Sequence, residues 1–249
     1  MTYCLGIKTR EGLIGLADTR ITSGSETTTS KKVFTMHRPN HCFFIMTSGL
    51  RSVRDKAITY FEEVIEEEDE KFDKLYKAVN KFSEQVKRVS QEDKASLEES
   101  DMRFNLYAIV GGQLEKDDEP KLFLLYPQGN WIEISEGTPF TIIGNTGFGR
   151  PILHRAITFD ESLEFAMKTA FLSFDATRLS ANDVGYPVDT VVLKNDTFYI
   201  IEHRFEQKEL DHIAEFWDTR LRETINELPA DELKKAFYGK EITPVKLSS

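Results

Sequence analysis

Thr2 stands directly behind Met1, and it is the residue whose type and position suggest chemistry most directly. Threonine is small beyond its α-carbon, so removal of Met1 is chemically accessible. It would leave one residue bearing both a hydroxyl and a free α-amine, a nucleophile beside its own base. An N-terminal amine has an unperturbed pKa of about 7.7–8.0, so a useful fraction is neutral near pH 7 and able to take the hydroxyl proton, directly or through water. The resulting alkoxide needs a cation. Lys31 and Lys32 precede the strand-like start at Val33, which places one of them where a strand holds its ammonium in the core. A buried lysine is costly unless paired, and Asp18, at the end of the apolar run Leu13 to Ala17, is the natural carboxylate. Read instead as ordinary turn and surface charges, Lys31, Lys32 and Asp18 would do no chemistry.

The elements that must position these residues follow from periodicity. Tyr3 to Ala17 reads as two strands around a turn at Arg10-Glu11-Gly12, and Val33 to Met36 with Cys42 to Thr47 as a second hairpin. From Ser52 the period becomes helical: Ile58, Phe61, Val64 and Ile65 mark one helix, and Phe72, Leu75, Val79, Phe82, Val86 and Val89 a second. Strand-like runs return at Phe104 to Val110, Lys121 to Tyr126, Asn130 to Ile134 and Phe140 to Ile143, separated by turn signals that include Gly111-Gly112. Helices are predicted over Pro151 to Ile157 and Glu161 to Arg178, the latter with Asp160 as its start signal. A hairpin over Val188 to Leu193 and Thr197 to His203, then an amphipathic helix over Leu210 to Leu228, complete the pattern. Grouped strands alternating with pairs of helices do not fit a doubly wound parallel sheet. They fit an α+β, four-layer αββα sandwich of two antiparallel sheets. Residues 1–228 are expected to form the main domain and 229–249 a C-terminal extension.

Size and charge narrow the function. The 249 residues are 40% apolar, enough for one large core, and carry 32 basic against 42 acidic side chains. A net charge of −10 opposes nucleic-acid or anionic-membrane binding. The N-terminal stretch lacks a secretory signal pattern and no apolar run approaches the roughly 20 residues that span a bilayer, so a cytoplasmic location is expected. Cys4 and Cys42 sit among apolar neighbours and read as buried thiols.

Competing motifs are weaker. The five histidines, His37, His41, His154, His203 and His212, show no metal-ligand spacing, so no metal is expected. Gly144-Asn145-Thr146-Gly147-Phe148-Gly149 lacks the lysine and hydroxyl residue that close a phosphate-binding loop and reads as a turn. The acidic run Glu66 to Glu70 reads as a solvated helix end. Phe165, Phe171 and Phe174, at helical spacing, belong to a core or a subunit interface.

The order Thr2, then Gly12-Leu13-Ile14-Gly15-Leu16-Ala17-Asp18-Thr19-Arg20, then Lys31-Lys32-Val33-Phe34, then Met46-Thr47-Ser48-Gly49 resembles the proteasome β-type threonine hydrolases. The start Met1-Thr2-Tyr3-Cys4 and the C-terminal extension look most similar to the bacterial Anbu, or ancestral β-subunit, relatives. Ile143 to Gly147 and Val184 to Asp189 also fall where that family has related segments. The resemblance implies an N-terminal-nucleophile hydrolase fold and a threonine peptidase needing no cofactor, with Thr2 as nucleophile and its amine as base. It implies that Asp18 orients the lysine, that Lys32 rather than Lys31 is that lysine, and that Arg20 supports the carboxylate and its loop. Gly49 would offer its N–H to an oxyanion, with Ser48 as the neighbouring alternative. The resemblance further implies a large ring-like or open helical homo-oligomer acting on a peptide or other amide. Any unfolding ATPase would be a separate chain.

The second half departs from the family pattern. The family has a serine after the glycine that matches Gly144, where this chain has Asn145 and Thr146. Its assisting aspartate and serine near Ala181 to Gly185 leave Asn182 and Asp183 as alternatives here. Such residues assist proton transfer at the threonine amine, and as Asn, Asp and Thr they equally suit plain turns. Two other functions therefore stand beside peptide hydrolysis: a catalytically weak or inactive scaffold or binding protein, and an amidase for a specialised small amide.

Overall fold

The computed structural model describes residues 2–23, 26–68 and 72–238. Its first two strands are β1 (Tyr3–Thr9) and β2 (Gly12–Asp18), and every residue of both is buried. Strands covered on both faces read as near-continuous apolar runs, as Leu13-Ile14-Gly15-Leu16-Ala17 does. A short hairpin of β3 (Arg20–Ser23) and β4 (Glu26–Thr29) follows, which the sequence pattern does not reveal because its threonine-rich strands lack apolar alternation. Next come β5 (Val33–Arg38), β6 (His41–Gly49) and the helices α1 (Arg51–Glu68) and α2 (Leu75–Glu99). The second half contributes β7 (Leu106–Leu114), β8 (Lys121–Leu125), β9 (Trp131–Glu133), β10 (Phe140–Gly144), α3 (Arg150–Ala156) and α4 (Leu163–Ser180). The hairpin β11 (Val188–Lys194) and β12 (Ile200–Phe205), then α5 (Gln207–Glu227) and α6 (Asp231–Lys234), complete the order.

Two five-stranded antiparallel sheets result, ordered β10-β1-β2-β11-β12 and β5-β6-β7-β8-β9. Their facing surfaces are sealed by Cys4, Leu13, Phe44, Met46, Ile109 and Val191. The second sheet packs its other face on α1 and α2, where Phe43, Phe61 and Phe82 stack with ring centroids 6.0 and 5.3 Å apart. On the first sheet, Tyr3 meets Phe174 of α4 at 6.2 Å, and its hydroxyl lies 2.7 Å from the Ser173 Oγ. Each fully buried phenylalanine contributes about 1.5–3 kcal/mol over an exposed one. These stacks fix the helices over the sheets in the αββα order expected.

Gly111 and Gly112 do not separate elements; they lie inside β7. A Cβ on Gly111 would overlap the Phe44 ring, and one on Gly112 the Cys42 carbonyl, so these glycines mark close approach to β6 rather than a turn. The start of α4 also differs from the Asp160 signal. Ser162 is the cap, its Oγ accepting from the Phe165 N–H at 3.1 Å, while Asp160 pairs with Arg10.

The chain divides into two compact units, one ending at Glu209 and the other beginning at Leu210. Residues 239–249, most of the expected extension, lie outside the described residues, as do Met1 and the Asp69-Glu70 end of the acidic run. No helix among the described residues is long and apolar enough to cross a membrane.

Candidate active site

Register brings the first candidate pair together. Cys4 pairs with Ala17 across β1 and β2, so Tyr3 comes level with Asp18 at the end of β2 and Thr2, just before β1, lies beside it. Three donors converge on one oxygen: Asp18 Oδ1 accepts from Thr2 Oγ1 at 3.0 Å, from the Tyr3 N–H at 2.8 Å and from Lys32 Nζ at 2.7 Å. Lys32 comes from the other sheet, just before β5, and also donates to the Arg20 carbonyl at 2.7 Å. Thr2 is 5% exposed, Asp18 0% and Lys32 7%. Lys31, its neighbour, points outward to Glu202 and is half-exposed.

A second set of contacts holds the Thr2 backbone. Tyr3 pairs with Gly144 across β1 and β10, and the Asn145 N–H donates to the Thr2 carbonyl at 2.7 Å. Gly144 has φ +88°, a conformation that favours glycine, and a Cβ there would overlap the Thr2 carbonyl and lie 3.1 Å from Ser48 Oγ. At the end of β6, the Thr47 N–H donates to the Lys32 carbonyl at 3.3 Å. Two residues on, the Gly49 N–H lies on the same strand edge, past the start of β5, and Gly49 lines the same cleft as Thr2. Gly49 has φ +147°, and a Cβ would run into the Asn105 carbonyl.

Burial pushes the Asp18 carboxyl above its ordinary value, and Lys32, the Tyr3 N–H and the Thr2 hydroxyl pull it back only in part. Partial burial raises the Asp183 carboxyl, but nearby positive charge, to which Lys32 adds weakly, brings it below its ordinary value. Asn145 and Thr146 are half-buried, and Asn145 meets Thr2 through its backbone; neither side chain makes a hydrogen bond among the described residues. Arg20 touches Lys32 through its carbonyl. Its guanidinium lies instead against Gly185, where a Cβ would sit 3.1 Å from Arg20 Cδ, and it makes no hydrogen bond to Asp18.

Thr2, Lys32, Ser48 and Gly49 open on one cleft of about 500 Å³, within the usual range for small-ligand sites. Its wall includes residues the sequence did not single out: Arg51, Arg54, Arg103 and Asn105. One signal was available. The first turn of α1 carries Arg51 and Arg54 and no acidic residue, the reverse of what a helix N-terminus favours. Arg103 and Asn105, in the connection to β7, carry no sequence signal. Among the described residues no group of three or more His, Cys, Asp and Glu is placed to hold a metal ion.

The same three-dimensional arrangement recurs elsewhere. Residues 2–190 match the family described as proteasome subunit. The chain belongs to the proteasome subunit family. Within that family its structural neighbours are Anbu proteins, in accord with the resemblance read from the N-terminal motifs. An Anbu (Gly-1) mutant from Hyphomicrobium sp. strain MC1 superposes with a TM-score of 0.85 at 29% identity, covering 92% of this chain and 98% of that one. Anbu (ancestral beta-subunit) from Yersinia bercovieri gives 0.84 at 26% identity, with 91% and 98% covered. A structure described as the helical assembly of the Anbu complex from Pseudomonas aeruginosa gives 0.83 at 28% identity, with 91% and 97% covered. Among curated proteins there is no match.

Proposed function

We propose that this proteasome-family chain is a threonine-type N-terminal-nucleophile hydrolase that cleaves amide bonds in peptides. The observation that carries the reading is the convergence of Thr2 Oγ1 and Lys32 Nζ on Asp18 Oδ1 inside a cleft that also exposes Gly49. With Met1 removed, the Thr2 hydroxyl gives its proton to the Thr2 α-amine, and Oγ1 bonds to the substrate carbonyl carbon. Lys32, held by Asp18, keeps positive charge beside the developing alkoxide. The Gly49 N–H takes the carbonyl oxygen as it becomes an oxyanion, a donor worth about 3 kcal/mol when well aimed. The C–N bond then breaks, and the leaving amine takes the proton from the α-ammonium. Water attacks the threonyl ester, the ester C–O bond breaks, and the hydroxyl returns. Asp183, Asn145 and Thr146 are the residues assigned to steady the Thr2 amine once Met1 is removed.

A slower or more specialised amidase is a second reading, supported by Asn145 and Thr146, whose side chains make no hydrogen bond toward Thr2. Turnover of a broad peptide panel by protein lacking Met1, with Thr2→Ala as control, tests the first reading. Cleavage lost in Thr2→Ala supports it. No cleavage of any peptide, with Thr2 chemically reactive, favours the specialised amidase.

Self-assembly into a ring-like or open helical homo-oligomer is part of the proposal. Its support is the helical assembly described for the Pseudomonas aeruginosa relative and the exposed Phe216, Leu221 and Ile225 of α5. A cytoplasmic location accords with two free, buried thiols, Cys4 and Cys42.

A further inference from the structure

The cleft that opens on Thr2 is cationic in a chain whose net charge is −10. Five of its lining residues carry positive charge: Arg20, Lys32, Arg51, Arg54 and Arg103. Lys32 is neutralised by Asp18. Arg51 and Arg54 share one carboxylate, Asp55, with N···O distances of 3.3 and 2.6 Å. Arg20 and Arg103 have no ion pair among the described residues, and the Arg20 Nε is buried without a hydrogen-bond partner. Arg20, Arg103 and one of the Arg51–Arg54 pair thus remain uncompensated around one cavity.

This arrangement is not what folding alone favours. Arg51 and Arg54 sit in the first turn of α1, where the helix dipole is already positive and basic side chains cost stability. Leu50 and Arg51, at the start of that helix, line the cleft, so the dipole adds to the guanidinium field there. At physiological ionic strength the screening length is about 8 Å, so the acidic remainder of the protein is largely screened while charges inside the cleft act on a ligand directly. Guanidinium groups pair with carboxylates through two parallel hydrogen bonds, which gives geometric selection as well as attraction.

From this geometry we infer that the substrate is acidic: the residue whose carbonyl meets Thr2 carries a carboxylate, which the cleft arginines receive. The inference rests on the reading of Thr2 as the attacking residue, but the anion-binding cleft can be measured without any reaction. The experiment uses full-length Thr2→Ala protein and two acetylated tripeptide amides that differ only in a final Glu or Gln. Isothermal calorimetry is expected to show the Glu peptide binding at least about tenfold tighter than the Gln peptide. The preference is expected to shrink with added salt. It should fall several-fold in Arg103→Gln and in Arg51→Gln, surface changes whose folding is checked by thermal melting. Equal affinity for the two peptides, or a preference untouched by both arginine variants, overturns the inference. Labelling of Thr2 in the wild-type protein reports separately on the hydrolase, so a Glu preference without labelling would sink the catalytic reading while leaving the acidic ligand class intact.

Discussion

Thr2 and Lys32, from opposite sheets, meet on the same oxygen: Asp18 Oδ1 accepts from Thr2 Oγ1 at 3.0 Å and from Lys32 Nζ at 2.7 Å. The other carboxylate oxygen, Oδ2, is buried without a partner among the described residues. Asp18 therefore spends its hydrogen-bonding capacity on one side, where it ties the Thr2 hydroxyl to the ammonium. Burial of a carboxylate and a lysine without water is expensive, and the arrangement persists because the register of β1 on β2 and the start of β5 leave both side chains no other place.

The two neighbouring lysines should respond very differently to removal. Lys32→Ala leaves the Asp18 carboxylate buried without its cation, which is expected to cost about 3–5 kcal/mol. Lys31→Ala breaks an exposed pair with Glu202 and is expected to cost less than about 1 kcal/mol. Urea denaturation of the two variants measures both. Lys32→Met should fold well enough to be assayed and should have lost reactivity at Thr2.

The Asp18 carboxyl also sets a pH dependence. Its folded-state pKa is raised, chiefly by burial, above an unfolded value of about 3.9. Between those two values the folded protein holds a proton that the unfolded chain has released, so the contribution of Asp18 to stability is present below the unfolded value and lost as pH rises through the folded one. Asp18→Asn has no such proton. The Tm of the variant relative to wild type should accordingly rise on going from about pH 4 toward neutrality; a difference independent of pH would show that the raised value is wrong.

Gly144 is expected to tolerate no side chain. Gly144→Ala would place a methyl against the Thr2 carbonyl at φ +88°, with a cost of about 1–3 kcal/mol and displacement of Thr2 from Asp18. Gly137→Ala is the control, since a Cβ at Gly137 meets nothing within 4 Å. Thermal melts and Thr2 reactivity measured together should separate the two.

Much of the fold was legible because its strands and helices carry unmixed periods. Tyr3 to Asp18 and the Phe82 helix announce themselves by apolar spacing. The β3–β4 hairpin was silent because polar, threonine-rich strands carry no alternation, and Gly111-Gly112 misled because close packing against Phe44 and a turn both call for glycine. At the candidate site the sequence pointed to Thr2, Asp18 and a lysine, but choosing Lys32 over Lys31 by geometry needed the burial that only the sheets supply. The cationic character of the cleft was hidden for another reason: Arg20, the Arg51–Arg54 pair of α1 and Arg103 lie on three separate stretches of the chain, and only folding gathers them around one cavity.

The exposed apolar stripe of α5 formed by Leu221 and Ile225, four residues apart, should govern self-association. Replacing both Leu221 and Ile225 with Asp is expected to shift the protein from a large assembly to smaller species in sedimentation velocity, with little change in secondary structure. An unchanged distribution would remove α5 from the interface.

The most direct test of the account is mass spectrometry of the intact protein and its N-terminal peptide, with and without an epoxyketone that needs both a threonine hydroxyl and a free α-amine. The expected result is loss of Met1 and a covalent adduct on Thr2, absent from Lys32→Met. Retained Met1, or a free Thr2 that never forms the adduct, would contradict the proposal that Thr2 is nucleophile and base.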